Sequence, residues 1–229
     1  MFLATAQTTF NAVFQLLLIA VAAGILIRKN SVSKEQVHSL SVITVNVFLP
    51  CLILSKTLAR FDPQNLGFWW ALPLTGLFLV LSGMGFAALL FGFKPSGKPL
   101  LPLASMQNSI YIVLPIGQIL YPDQFDLFAL YAFLLTMGLT PLMWSVGKVL
   151  ISGGKNTRIQ WQDFISPPLV ATLTSLVLVF SGLSSFLPTV IMGPVNLLGS
   201  ATVPLAVFIL GATLSTISFT DMPAGRDIL

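Results

Sequence analysis

Apolar residues run along this chain in blocks of membrane-crossing length, separated by short polar stretches. Segments of about 17 to 25 predominantly apolar residues match the hydrocarbon thickness of a bilayer. Seven can be drawn, at 10–27, 37–55, 67–92, 99–121, 127–147, 164–183 and 190–214. None of the 11 basic and 7 acidic residues falls inside them. Barrel strands would instead read as alternating segments of about 10 residues. The pattern therefore predicts an all-α, polytopic membrane protein.

The fourth block interrupts itself. It contains "MQNSIYIVLPIGQ", Met106 to Gln118, in which Gln107, Asn108 and Ser109 precede a proline and a glycine. A proline removes the hydrogen bond to the carbonyl four residues earlier and forces the helix open there. Pro50 thus releases the carbonyl of Asn46, Pro115 that of Tyr111, Pro141 that of Met137 and Pro204 that of Ser200. In lipid such breaks persist only where protein or a water-lined cavity supplies partners. Asn108, Tyr111 and Pro115 are spaced by three and four and share a helical face, with Ser109 and Gly117 close by. Polar residues in membrane helices also serve as interhelical glue, but three in a row exceed what one such contact needs. Broken helices of this kind build substrate and ion sites in secondary transporters. The first candidate site is accordingly Gln107, Asn108, Ser109, Tyr111 and Pro115. Asn46 and Pro50 flank it, and Ser200 and Pro204 are their counterparts in the seventh block.

Composition sharpens the class. The chain of 229 residues is 55% hydrophobic and 8% charged, with mean hydropathy +0.93, whereas soluble domains carry about a quarter charged residues. Basic residues mark the cytoplasmic side of membrane proteins. Nine of them (Arg28, Lys29, Lys34, Lys94, Lys98, Lys148, Lys155, Arg158 and Arg226) fall on one side of the predicted spans, and only Lys56 and Arg60 on the other. This bias predicts an N-terminus outside, an integral protein of the cell membrane, and a first span that is retained rather than cleaved as a signal peptide. It also accounts for the net charge of +4 without a nucleic-acid partner, since no basic stripe interleaved with aromatics is present. Trp69, Trp70, Tyr121 and Trp161 lie at span ends as interfacial anchors. Lys56, at the end of the second span, reads as a snorkelling lysine. Ser33 and Gln36 form a capping-box signature before the second span.

No enzyme is expected. An intramembrane catalyst needs a nucleophile and base or a set of metal ligands, but His38 lies near an interface, Cys51 stands alone, and no carboxylate lies in a predicted span. No metal or cofactor is implied. The competing reading is a channel or purely structural helix bundle, in which the prolines act only as kinks.

The glycine-bearing linker 148–163 separates five spans, 1–147, from two, 164–229. Laying Pro50 of "NVFLPCLILSKTL" on Pro204 of "SATVPLAVFILGATL" puts Asn46 on Ser200. This is the pattern of inverted repeats common in carriers. "VNVFLPCLILSKTLA", "MQNSIYIVLPIG", "PPLVATLTSLV" and "ATVPLAVFILGATL" together resemble the auxin efflux carrier family, the PIN-like permeases. The resemblance covers essentially the whole chain. It implies a ten-helix fold of two inverted five-helix repeats, with substrate bound where the broken fourth helix crosses its counterpart in the second half. It also implies a small organic anion as the transported partner, a carboxylate such as malate or malonate in bacterial relatives and auxin in plants. A homodimer is left open. The chain departs from that pattern by ending after seven predicted spans, which would make it a truncated form lacking the second crossover.

Overall fold

The computed structural model describes residues 2–92, 100–106, 110–152 and 165–217. Every regular element among them is helical. The helices are α1 (Phe2–Arg28), α2 (Lys34–Arg60), α3 (Ala71–Phe91), α4 (Leu100–Ser105), α5 (Val113–Leu120), α6 (Pro122–Ile151), α7 (Pro167–Phe180) and α8 (Thr189–Ser215). Five of these, α1, α2, α3, α6 and α8, are long and apolar enough to cross a membrane. The seven uninterrupted spans expected from hydropathy are therefore not all present. The block 99–121 is split into the short helices α4 and α5, and the block 164–183 yields the 14-residue α7. At 1.5 Å per residue α7 reaches about 21 Å, short of a hydrocarbon core of about 30 Å.

Local chemistry explains where the helices stop. The end of α1 is a Schellman arrangement, in which Ser31 N–H bonds the Leu26 carbonyl and Asn30 N–H that of Ile27. Asn30 occupies the left-handed region there, at φ 55°. The capping box holds as the sequence suggested: Ser33 Oγ accepts from Gln36 N–H at 3.3 Å, and Gln36 Oε1 accepts from Ser33 N–H at 2.8 Å.

The second half of α2 is the axis of the bundle. Leu49, Leu52 and Ile53 are buried in one cluster with Leu114 of α5, Phe125, Ala129 and Phe133 of α6, Ala171 of α7 and Val203 of α8. A second cluster joins Ala23 of α1, Val37 of α2 and Ile209 and Ala212 of α8. A third gathers Phe61, Leu130, Leu134 and Leu176, with Trp69 against it. Trp69 is half-buried. Its ring lies 5.6 Å from Phe61 and 5.5 Å from Phe180, inside an aromatic triad that closes one end of α2, α6 and α7. Trp70 and Tyr121 are exposed, as anchors would be, and Trp161 lies outside the described residues.

Helices approach most closely through glycine, as expected where lipid and protein interior are equally apolar and packing drives association. A side chain on Gly76 would collide with the Leu135 carbonyl and one on Gly138 with the Pro73 carbonyl, so the α3–α6 pair is locked by two reciprocal contacts. Gly211 abuts the Ala20 backbone where α8 meets α1. A Cβ on Gly199 would stand 2.8 Å from Leu52 Cα, which makes this the crossing point of α8 and α2.

Gly138→Leu is therefore expected to lower stability by about 1 to 3 kcal/mol or more, as overpacking does, read as a lower unfolding midpoint and loss of the monodisperse peak in detergent. Gly85→Ala, where an added Cβ meets nothing within 4 Å, should leave both unchanged.

Candidate functional site

The prolines singled out in the sequence are absorbed in different ways. In α2 the helix continues past Pro50 because residues Thr44–Phe48 widen into a π turn, with Leu49 N–H bonding the Thr44 carbonyl five residues back. Asn46 lies in that turn with its side chain exposed, and its Nδ2 donates to the Val42 carbonyl at 2.7 Å. In α8 the interruption is a single residue, Ala201, between the runs Thr189–Ser200 and Thr202–Ser215. Ser200 is exposed and its Oγ donates to the Leu197 carbonyl at 2.7 Å. Pro141 precedes a second π turn, Met143–Gly147, where Ser145 Oγ donates to the Pro141 carbonyl at 2.6 Å.

Among the described residues, the fourth block is interrupted between Ser105 and Val113, where Met106, Ile110, Tyr111 and Ile112 are not helical. Met106 leaves α4, and the chain re-enters helical structure at Val113, with Ile110 and Tyr111 between them. Pro115 is buried in α5, next to Leu114 of the central cluster. Gln107, Asn108 and Ser109 lie outside the described residues.

Beside this break is a cavity of about 320 Å³. Its walls come from Met106, Ile110 and Tyr111 of the broken segment, from Val45, Leu49 and Ile53 along one face of α2, from α6 between Phe133 and Trp144, and from the start of α7. The volume falls at the lower end of the range for small-molecule sites. Three methionines, Met106, Met137 and Met143, give part of the wall a soft and adaptable surface. The polar groups are the hydroxyls of Tyr111, Thr136, Thr140, Ser166 and Thr172 and the indole N–H of Trp144.

Most of these hydroxyls are already committed. Thr140 Oγ1 donates to the Thr136 carbonyl at 2.7 Å and Thr172 Oγ1 to the Pro168 carbonyl at 2.9 Å, while Thr136 donates to Ala132. Their oxygens remain acceptors on the helix surface. The start of α7 likewise offers few donors, because Pro167 and Pro168 carry no N–H and Leu169 N–H bonds Ser166 Oγ at 3.4 Å. No charged side chain lines the cavity among the described residues.

The structure thus separates the candidates into two places. Tyr111 lies on the cavity wall, and the undescribed residues 107–109 join two wall residues, Met106 and Ile110. Asn46, Pro50, Ser200 and Pro204 are not cavity residues. They flank the α2–α8 crossing, where the π turn packs against both runs of α8 and Gly199 meets Cys51 and Leu52. The walls that sequence reasoning missed are Met137, Thr140, Trp144, Ser166 and Thr172. Thr136 and Thr140, spaced by four on one helix face, were the one legible signal.

One expectation about charge is corrected. Asp126 lies inside the first turn of α6, because that helix begins earlier than its apolar block. This start brings the carboxylate within reach of Lys56, whose Nζ stands 2.8 Å from Asp126 Oδ1 and 5.9 Å from the centre of the Phe125 ring.

No protein-family model, curated protein or solved structure matches the chain.

The Lys56 side chain is 18% exposed and that of Asp126 31%, so removing either partner leaves a charge in a partly desolvated place. Lys56→Met and Asp126→Asn should each lower the unfolding midpoint. The double variant should be more stable than the sum of the two predicts, with an interaction energy toward the low end of about 0.5 to 3 kcal/mol because solvent screens the pair. Strict additivity in the double-mutant cycle would show the pair to be energetically idle.

Proposed function

We propose that this chain is the membrane part of a secondary carrier for small organic anions, with substrate held in the cavity at the break between α4 and α5. The single observation that carries the reading is the break itself. A helix opened outright in the middle of an apolar bundle, with the open segment on the wall of a ligand-sized cavity, is how carriers build a binding site at membrane mid-depth. The resemblance to the PIN-like permeases agrees with this, as does the meeting of the Pro50 and Pro204 motifs at one helix crossing. An inverted relation between the two halves would make those motifs symmetry mates. The excess of basic residues on one side supports an N-terminus outside, in the cell membrane.

A carrier is favoured over a pore by what lies beyond the cavity. Leu49, Leu52, Ile53, Leu114 and Phe133 pack in one buried apolar cluster beside the cavity, which supports a closed side over an open channel. Carriers alternate access around such a closed side. Among the described residues the cavity wall holds hydroxyls and the Trp144 indole N–H and no cation, so a bound anion would be held by hydrogen bonds rather than by an ion pair.

The test is uptake of radiolabelled malonate and indole-3-acetate into proteoliposomes, with trans-loaded unlabelled anion to drive exchange. Saturable, counterflow-stimulated uptake is expected, and Asn108→Ala should remove it while expression and detergent stability hardly change. Linear, unsaturable flux would make the chain a pore. Uptake by Asn108→Ala at the wild-type rate would remove the fourth block from the site.

A further inference from the structure

The chamber at Tyr111 and the buried ion pair of the bundle lie apart. A second cavity, of about 400 Å³, opens between the last turns of α2 and the first turns of α6 and α8, and it holds Lys56 and Asp126, already paired at 2.8 Å. The two cavities share no residue. Among the described residues the wall of the chamber carries no charged side chain. Its one ionisable group there is the Tyr111 phenol, a type of group that ordinarily stays neutral up to about pH 10.

The hydrogen-bonding capacity of that wall is one-sided. The hydroxyl protons of Thr136, Thr140 and Thr172 go to the carbonyls of Ala132, Thr136 and Pro168. Three wall oxygens are left that can only accept, two of them one turn apart on α6 and the third on α7. The indole N–H of Trp144 is a donor, and a phenol such as that of Tyr111 serves either way. Most of the remaining wall is apolar, with Leu49, Ile53, Phe133 and the three methionines.

A carboxylate suits this wall badly. It is an acceptor only, so it has nothing to bond at the threonine oxygens, and its charge would be buried without a cation, which costs far more than burying a hydrogen-bonded neutral group. A protonated carboxyl brings one O–H for a threonine oxygen and one C=O for the indole N–H. We infer that the chamber binds its ligand as the uncharged acid: a monocarboxylic acid with an apolar body, seated with its O–H toward the α6 threonines. This deepens the carrier reading and rests on it for transport, in which anion and proton would cross together without titration of a protein group. A dicarboxylate such as malonate, with a second charge to bury, is the poorer ligand.

The test is equilibrium binding of radiolabelled indole-3-acetic acid to the full chain in dodecyl maltoside, at a series of pH values well above the ordinary carboxyl pKa of about 4. Unlabelled indole-3-acetamide and malonate serve as competitors. If only the acid form binds, apparent affinity follows its fraction and falls about tenfold per pH unit. The amide is uncharged throughout and carries an N–H donor, so it should compete equally across the series, which separates titration of the ligand from titration of the protein. Malonate should compete more weakly than the amide. Thr140→Val and Thr172→Val keep the branched shape and remove an acceptor; at least one should weaken the acid roughly tenfold while the unfolding midpoint stays at that of the wild type. Affinity for the acid that is flat with pH, malonate competing as well as the amide, absence of binding, or wild-type binding by both variants overturns the proposal. Binding as expected in a chain that moves no solute in proteoliposomes would overturn the carrier and leave the site. Counterflow with affinity independent of pH would do the reverse.

Discussion

In an apolar medium every backbone N–H and C=O must find its partner within the protein, and the prolines of this chain work against that requirement at chosen points. The bundle is organised around how each loss is absorbed. At Pro50 a π turn shifts the hydrogen-bond register and the helix runs on to Arg60. At Pro204 one non-helical residue suffices. At the fourth block the helix is opened, and a cavity lies against the opened segment. The same covalent lesion thus has three outcomes, set by what each surrounding supplies. Asn46 and Ser200 donate back to the Val42 and Leu197 carbonyls of their own helices, so both polar side chains are engaged within the helix that carries them.

The axis formed by the second half of α2 ties these interruptions together. Its face of Leu49, Leu52 and Ile53 holds α5, α6, α7 and α8 in one cluster. That cluster also divides the two cavities, with hydroxyls and methionines on one side and the Lys56–Asp126 pair on the other. Tight glycine contacts make the frame stiff, since α3 on α6 and α8 on α1 meet backbone to backbone with no flexible side chain between.

Much of the architecture was legible along the chain because it depends on short-range physics. Hydropathy over a helix length marks α1, α2, α3, α6 and α8 as able to cross a membrane. The capping box at Ser33 and the weak points before the prolines follow from residues a few positions apart. The broken fourth block was equally visible, since Tyr111 and Pro115 follow a polar triplet within one turn or two. The hydropathy pattern misjudged continuity: an apolar block of the right length reads as one span whether or not it is one helix, and the described residues of this block form two, α4 and α5.

By itself the sequence determined the helical class, the apolar blocks from which the long helices form, the capping box at Ser33, and the places where the backbone hydrogen-bond ladder would fail. Tertiary structure alone decided which faces meet. In a soluble helix the apolar stripe points at the core, but here the lipid-facing and bundle-facing sides are both apolar, as the exposed Phe78, Phe86, Leu89 and Leu90 of α3 illustrate. Periodicity therefore carries little information about packing. The Lys56–Asp126 pair, the aromatic triad around Trp69 and the walls contributed by Met137, Thr140 and Trp144 all join residues distant in sequence, and only the helix crossings bring them within reach.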